Sequence, residues 1–356
     1  MGDVLIRYSK VSPICPLDMF VVGSRALMDN LEMSPNSYKQ ELRKGVGLIQ
    51  RELGQLKHKC LFPECGSDAI NSHSQQKESQ LRSIAKQGHV YRLDNNMYRA
   101  VSNKGKEMKL WGIGEVSVFK GFCEFHDEAI FRPIEKKALE TNDSQQAFLL
   151  FLRAVCYEFC QKRKGYEYWT RFCELLSRLG SPVYDEAVVM KEGVKKFVEL
   201  DSVHYMTQLW DALQEEEYDV LEGVWLKVDA NLGASSACLF SPFLDDYYES
   251  VHTQLAYAGP PILSFNLIPS DKETHVVASW FREDSRHCVW VNELLETETG
   301  LVKFINLGAV AQSEDTCFSP VLWNSISTGL KKRALKAMEH DLWRGKLDEI
   351  PLVVRV

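Results

Sequence analysis

Two short segments, far apart in the chain, carry the pattern that most restricts how this protein can fold. The first, CLFPECG, holds Cys60 and Cys65 at C-x4-C spacing. The second, GFCEFHDEAIF, holds Cys123 and His126 at C-x2-H spacing. Three thiols and one imidazole are an accepted ligand set for a structural, tetrahedral zinc ion. We refer to these four residues as the Cys3His cluster.

The residues near both segments favour a site that faces a single ion. Pro63 shapes the first turn, and Gly66 is predicted to adopt a positive φ just past the second thiol. A helix that begins near Cys123 would place the second pair of ligands on its first turn. The sequence therefore predicts a structural Zn²⁺ in the Cys3His cluster, and the alternative is a group of buried thiols without a ligand.

The overall composition limits the other uses of cysteine and the range of partners. The chain has ten cysteines in 356 residues, and its N-terminus lacks the pattern of a signal peptide. We therefore expect a cytoplasmic protein without a disulfide framework. The most apolar helical stretch, 147–160, is too short to span a bilayer, so no membrane partner is expected. A net charge of -7 excludes a chain that is basic throughout, but it leaves room for a local nucleic-acid-binding face.

Periodicity and turn residues predict mixed secondary structure before residue 223. A helix at 36–57 has apolar residues at three- and four-residue steps. Asp143 is predicted to cap a helical block at 143–222, and Gly165 to interrupt it. The other predicted elements of this part are a short strand at 69–74, a short helix at 77–88, strands at 89–93, 96–101 and 107–119, and a helix at 126–137.

The C-terminal part of the chain is predicted to be mainly antiparallel β structure. Its helices are placed at 289–297 and 323–343, and IPLVVRV at 350–356 is read as a final strand. The segment FREDSRHCVW is interpreted as a surface turn that enters a strand, which argues against His287 and Cys288 as a catalytic pair. The predicted strands are 223–230, 235–242, 261–269, 275–281 and 301–307.

The order of elements around the Cys3His cluster resembles the treble-clef HNH (His-Me finger) nucleases over residues 58–135. A cysteine turn and a glycine are followed by a short strand that ends in Ser72-His73, a β excursion, and a helix that opens with the second ligand pair. The resemblance implies that His73 activates water. It also implies that Asp127, with Glu128 as a spare, helps to bind a catalytic Mg²⁺ or Mn²⁺.

We therefore expect an α+β protein built from four regions. These are an N-terminal extension and helix (1–57), a zinc-bound treble-clef-like module (58–135), a helical middle (136–222), and a C-terminal antiparallel sheet with helices (223–356). The resemblance implies a metal-dependent nuclease that hydrolyses phosphodiesters, has nucleic acid as its partner and is similar to bacterial defence effectors. The alternative is a non-catalytic interaction or sensor protein in which zinc is purely structural and a protein partner binds the C-terminal region.

A second feature with nucleic-acid chemistry lies in the helical middle. Basic and aromatic side chains are interleaved in and around QKRKGYEYWTR at 161–171, with Arg153 about two helical turns earlier. Such a mixture can stack on bases and pair with phosphates. A polar corner between packed helices explains the same residues, and we favour that interpretation.

Overall fold

The computed structural model describes residues 34–94, 107–242, 260–340 and 351–355. The strand predicted at 96–101 and the end of the helix predicted at 323–343 lie outside these ranges. Among the described residues, no helix combines the length and the hydropathy that a bilayer-spanning segment requires.

Runs of helices are separated from runs of antiparallel strands along the chain, which confirms the α+β class. The helices are α1 (Pro35–Gly54), α2 (Arg82–Ile84), α3 (Glu124–Glu135), α4 (Ser144–Arg178), α5 (Tyr184–Lys196), α6 (Ser202–Glu215), α7 (Ser285–Leu295), α8 (Glu298–Asn306), α9 (Pro320–Ser325) and α10 (Thr328–His340). The strands are β1 (Ser72–His73), β2 (His89–Leu93), β3 (Met108–Gly112), β4 (Val118–Phe119), β5 (Leu221–Val228), β6 (Ala234–Phe240), β7 (Leu263–Pro269), β8 (Thr274–Phe281) and β9 (Cys317–Phe318). Short π-helical turns at Lys77–Leu81, Phe197–Asp201 and Leu307–Ala311, and a 3₁₀ turn at Tyr218–Val220, join some of them.

The chain divides into two compact units. Among the described residues, one unit comprises 34–56 and 162–199, and the other comprises 57–94, 107–161, 200–242, 260–340 and 351–355. The four-region division made from the sequence remains a prediction.

The smaller unit is a helical cluster built around α1. Ser34 caps this helix by accepting the Ser37 N–H at 3.3 Å, and Pro35 occupies its first turn, where a missing N–H costs little. The apolar face of α1 packs with residues of α4 and α5 in one core. Inside that core the hydroxyls of Tyr38 and Ser181 share a hydrogen bond of 2.7 Å.

Within the described residues, the larger unit contains a seven-stranded antiparallel sheet in the order β3-β2-β9-β6-β7-β8-β5. Strands β7 and β8 are buried along their whole length. Alternate residues of each strand enter two different apolar cores, so both faces of these strands are covered. Polar side chains such as Ser264 and Asn266 are buried on these strands together with the apolar ones. A separate two-stranded pair, β1 with β4, belongs to the same unit.

Several predicted elements agree with the structure. The helix at 36–57, the strands at 89–93 and 275–281, and the cap at Asp143, whose Oδ1 accepts the Gln146 N–H at 2.9 Å, are confirmed.

Other predictions about secondary structure are wrong. Gly165 does not interrupt α4, which continues through it. Residues 301–307 are not a strand, because Glu298–Asn306 is helical and is capped by Thr297. His287 and Cys288 lie on helix α7 and not at the entry to a strand. Residues 351–355 form no strand: Asn306 accepts the N–H groups of Val353 and Val354 at 2.7 and 2.8 Å.

Candidate metal centre

The four side chains of the Cys3His cluster converge. Their ligand atoms all lie within 4.8 Å of one another. His126 Nδ1 is 3.5 Å from Cys60 Sγ and 3.3 Å from Cys123 Sγ, and Cys65 Sγ is 4.0 Å from Cys123 Sγ. Among the described residues, no other group of three or more His, Cys, Asp or Glu side chains meets the same condition. The cluster can therefore hold a metal ion.

Three of the six separations among these atoms are close to those of tetrahedral zinc. Bonds of about 2.3 Å to sulfur and 2.0–2.1 Å to nitrogen separate two sulfurs by about 3.8 Å, and sulfur from nitrogen by about 3.6 Å. The three measured separations, 4.0, 3.5 and 3.3 Å, lie within a few tenths of an ångström of those values. A disulfide requires a much shorter S–S distance, about 2.05 Å, and all of these cysteines are free.

A short hairpin carries the first two ligands. The N–H of Cys60 donates to Ser67 O at 2.9 Å, and the N–H of Ala69 donates to His58 O at 2.8 Å. The positive φ that closes the turn falls on Glu64, at 61°. The prediction for Gly66 is therefore wrong, since this glycine is not among the positive-φ residues.

Helix α3 carries the other two ligands, as the sequence predicts. Cys123 is the N-cap residue of α3, and His126 lies in the first turn. The ring of Phe62 stacks on the imidazole of His126 with a centroid distance of 4.0 Å and an angle of 14°. This contact holds the imidazole so that Nδ1 faces the three thiols.

The thiols of the hairpin have unequal acidities. Burial raises the pKa of Cys60 to about 11, whereas the backbone N–H of Ser67 lowers the pKa of Cys65. Only thiolates bind zinc, so metal binding must displace the proton that burial retains on Cys60. A structural ion in this position would couple proton release to metal uptake.

His73 lies at the end of β1, where the sequence places it, and pairs with Val118 of β4. Its Nε2 atom is buried and has no hydrogen-bond partner among the described residues. Burial lowers the pKa of His73, and the positive charges of Lys77 and Arg153 lower it further. The imidazole is therefore neutral at pH 7 and keeps a lone pair or an N–H that no neighbour uses.

Asp127 is half-buried in the first turn of α3, and its backbone N–H donates to Cys123 O at 2.9 Å. Burial raises its pKa, while the charge of Arg153 and the hydroxyl of Ser72 act in the opposite direction. Asp127 is thus placed beside the residue that precedes His73. Neither Asp127 nor His73 belongs to the Cys3His cluster, and whether the pair holds a second ion remains a prediction.

The basic and aromatic residues of the helical middle do not form one exposed stripe. Tyr168 and Trp169 are buried in the core of the smaller unit. Arg153 is 4% exposed and pairs with Glu135 at 2.6 Å, so its guanidinium is buried and already has a carboxylate partner. These positions support the interpretation of packed helices over a nucleic-acid face.

Sequence reasoning missed a buried carboxylate that lies next to the His73 segment. Asp315 is 1% exposed and pairs with Arg92 at 3.1 Å. It also accepts hydrogen bonds from the side chains of Ser74 and Gln75. No local signal could have revealed this group, because its partners are about 220–240 residues away in the chain.

Comparisons of the chain with protein-family models, with curated proteins and with solved structures found no match. The site is therefore interpreted from its own geometry and chemistry.

Proposed function

We propose that the Cys3His cluster binds one structural Zn²⁺, which joins the hairpin of residues 58–69 to the start of α3. The observation that carries this proposal is the convergence of four ligand atoms within 4.8 Å of one another, with three of the separations close to tetrahedral zinc geometry. The ion would supply no chemistry. It would fix the distance between the hairpin and the helix, which in turn sets the positions of β1 and Asp127.

The test of the ion is its identity and stoichiometry in the purified protein. Elemental mass spectrometry is expected to give one zinc per chain. Cys65→Ser is expected to lose most of it, whereas Cys288→Ser, a half-buried cysteine outside the cluster, should retain it. Equal zinc content in both variants would contradict the assignment.

The finer part of the proposal is that the zinc-bound module is a phosphodiesterase centre of the HNH type. Support comes from the order of elements, a strand that ends in His73 followed by a helix that begins at the second ligand pair, and from the neutral imidazole. His73 would take a proton from the attacking water. Asp127 would help to hold Mg²⁺ or Mn²⁺, which would neutralise charge on the phosphoryl and leaving oxygens.

Cleavage of nucleic acid tests this part. The protein is incubated with plasmid and with single-stranded DNA and RNA, in Mg²⁺ or Mn²⁺. Activity is expected to fall by about 10²–10⁴-fold in His73→Ala. His89→Ala is the matched control, because His89 is exposed on a different strand. Activity that is absent with every ion, or unchanged in His73→Ala, would refute the catalytic assignment.

The second candidate is a non-catalytic interaction or sensor protein whose zinc is purely structural and whose partner binds residues 223–356. The burial of His73 Nε2 and the half-burial of Asp127 favour it, because a catalytic pair must reach solvent and substrate. A protein that contains zinc but cleaves nothing in the assay above would support this candidate.

A further inference from the structure

A buried carboxylate from the last part of the chain holds the two residues that follow His73. Ser74 and Gln75 are 5% and 0% exposed, and both donate through their side chains to Oδ2 of Asp315. The Gln75 amide also donates to the backbone oxygen of the same residue. Three hydrogen bonds thus tie the end of β1 to the loop that precedes β9.

The sheet fixes this carboxylate in turn. Arg92 pairs with Oδ1 of Asp315 at 3.1 Å. Arg92 lies on β2 and is opposite Cys317 of β9, two residues beyond Asp315. The carboxylate is therefore held from the side of the sheet as well as from the His73 segment, and its position cannot change without breaking one of these connections.

Several buried polar atoms near this carboxylate make no hydrogen bond to the protein. Among the described residues they include Gln75 Oε1, Arg92 Nε and Asp315 Oδ1, which has Arg92 only as an ion-pair partner, and His73 Nε2 on β1 is another. Each such atom costs about 1–3 kcal/mol when nothing else satisfies it. Similar atoms occur elsewhere in the described residues, and what distinguishes Asp315 is its set of direct contacts with Ser74, Gln75 and Arg92.

From these contacts we infer that Asp315 is a positioning residue for His73: it clamps the two residues that follow the histidine and so fixes where the imidazole lies. The C-terminal region (223–356) then contributes Asp315 to the proposed centre, in addition to any surface that binds a partner. Only the expected effect on catalytic activity rests on the proposed phosphodiesterase function; the positioning of His73 by Asp315 does not.

The charges around His73 make the inference measurable. Lys77 and Arg153 favour the neutral imidazole, whereas Glu135 and Asp315 favour the imidazolium. Asp315→Asn keeps an oxygen that can accept from Ser74 and removes the negative charge. The pKa of His73 should then fall, because a negative charge that favours the imidazolium is lost.

The experiment is an NMR titration of the histidine rings in the full chain, labelled with ¹⁵N-histidine and assigned with His73→Gln. It compares the unchanged protein with Asp315→Asn, Ser74→Ala and the control Asp219→Asn, whose side chain is 77% exposed. Asp315→Asn should lower the pKa of His73, and Ser74→Ala should move its ring signals without removing the charge. The control Asp219→Asn should change neither the pKa nor the ring signals of His73.

Activity adds a second readout. Ser74→Ala should lower kcat by on the order of 10–100-fold with little change in KM, because misplacement of a base affects the chemical step. In Asp315→Asn the acidic limb of the pH–rate profile should move to lower pH. These two shifts distinguish positioning and charge from a general loss of folded protein.

The results test the inference about Asp315 separately from the phosphodiesterase proposal. His73 signals and pKa that are unchanged in both Asp315→Asn and Ser74→Ala would overturn the inference, whether or not the protein cleaves nucleic acid. A response of His73 in a protein without activity would support the inference and refute the phosphodiesterase proposal. If Asp315→Asn does not fold, the ring signals of Ser74→Ala decide alone, and their constancy would overturn it.

Discussion

Replacement of one ligand tests how strongly the metal holds the candidate centre together. The hairpin is joined to the segment before α3 by two backbone hydrogen bonds, from Leu61 N–H to Gly121 O at 2.8 Å and from Ile70 N–H to Phe122 O at 2.7 Å. At about 1 kcal/mol each, they contribute about 2 kcal/mol. A structural zinc contributes on the order of 10 kcal/mol. The ion should therefore dominate the local stability of this segment.

The assay is native-state hydrogen exchange of the Leu61 and Ile70 amides, in the unchanged protein, in Cys65→Ser and after chelation. Loss of even half of the zinc contribution, about 5 kcal/mol, corresponds to exchange faster by roughly 10³-fold or more. Amides of the sheet strands should change much less. Cys288→Ser controls for the loss of a thiol as such.

One result would refute this reasoning. If Leu61 and Ile70 keep their protection in Cys65→Ser while zinc is gone, packing and the two hydrogen bonds already suffice. The ion would then not be the element that joins the hairpin to α3, and the proposed structural role would fail even if zinc binds.

Three further predictions concern charge in the interior. Burial lowers the pKa of His287 to about 4. Its contribution to the free energy of unfolding is therefore complete above about pH 6.5 and is lost as the pH falls towards 4. Chemical denaturation should show that the free energy of unfolding decreases by about 3 kcal/mol over this range, and His287→Gln should not show this decrease. Burial raises the pKa of Asp284 to about 6. Its contribution to the free energy of unfolding is therefore present below about pH 4 and is lost as the pH rises through 6. Asp284→Asn should increase stability at pH 8 more than at pH 4, and equal effects at the two pH values would contradict the pKa assignment. Glu135→Gln removes the negative charge opposite the buried Arg153 but keeps an oxygen that can accept its N–H, so it should cost about 1–3 kcal/mol. The double variant with Arg153→Met should recover most of this, as a double-mutant cycle would measure.

The metal cluster was accessible from sequence because its information is local. A C-x4-C turn and a C-x2-H pair each restrict their own ligands, and the fold needs only to bring two segments together. The exact turn geometry was not accessible in the same way. Either Glu64 or Gly66 can close a turn of this length, and the chain uses the residue that sequence preference ranks lower.

Helix and strand were confused where apolar runs are short. LVKFINL at 301–307 is compatible with a buried strand or a buried helix, and periodicity over seven residues does not separate them. The deciding feature is Thr297, whose hydroxyl accepts the Gly300 N–H at 3.0 Å and begins the helix. Gly165 shows the converse error. A glycine inside a helix costs about 1 kcal/mol, which the packing of a 35-residue helix readily offsets.

The role of Asp315 could not be predicted, because it arises only from tertiary structure. Its partners lie on the His73 segment and on β2, and nothing in the residues near 315 indicates that these segments meet. The same holds for the Asn306 side chain, which binds the backbone of residues 353 and 354 in place of a strand partner. Such long-range polar contacts have no periodic signal in sequence.

The pairing of β2 with β9 has a consequence for the order of events during synthesis. Residues 91 and 92 leave the ribosome long before residues 317 and 318, an interval of about 10–45 s at typical elongation rates. Cys60 and Cys65 emerge before that interval begins, and Cys123 and His126 emerge early in it. The nascent chain can therefore bring all four potential metal ligands together before β9 is synthesised and pairs with β2.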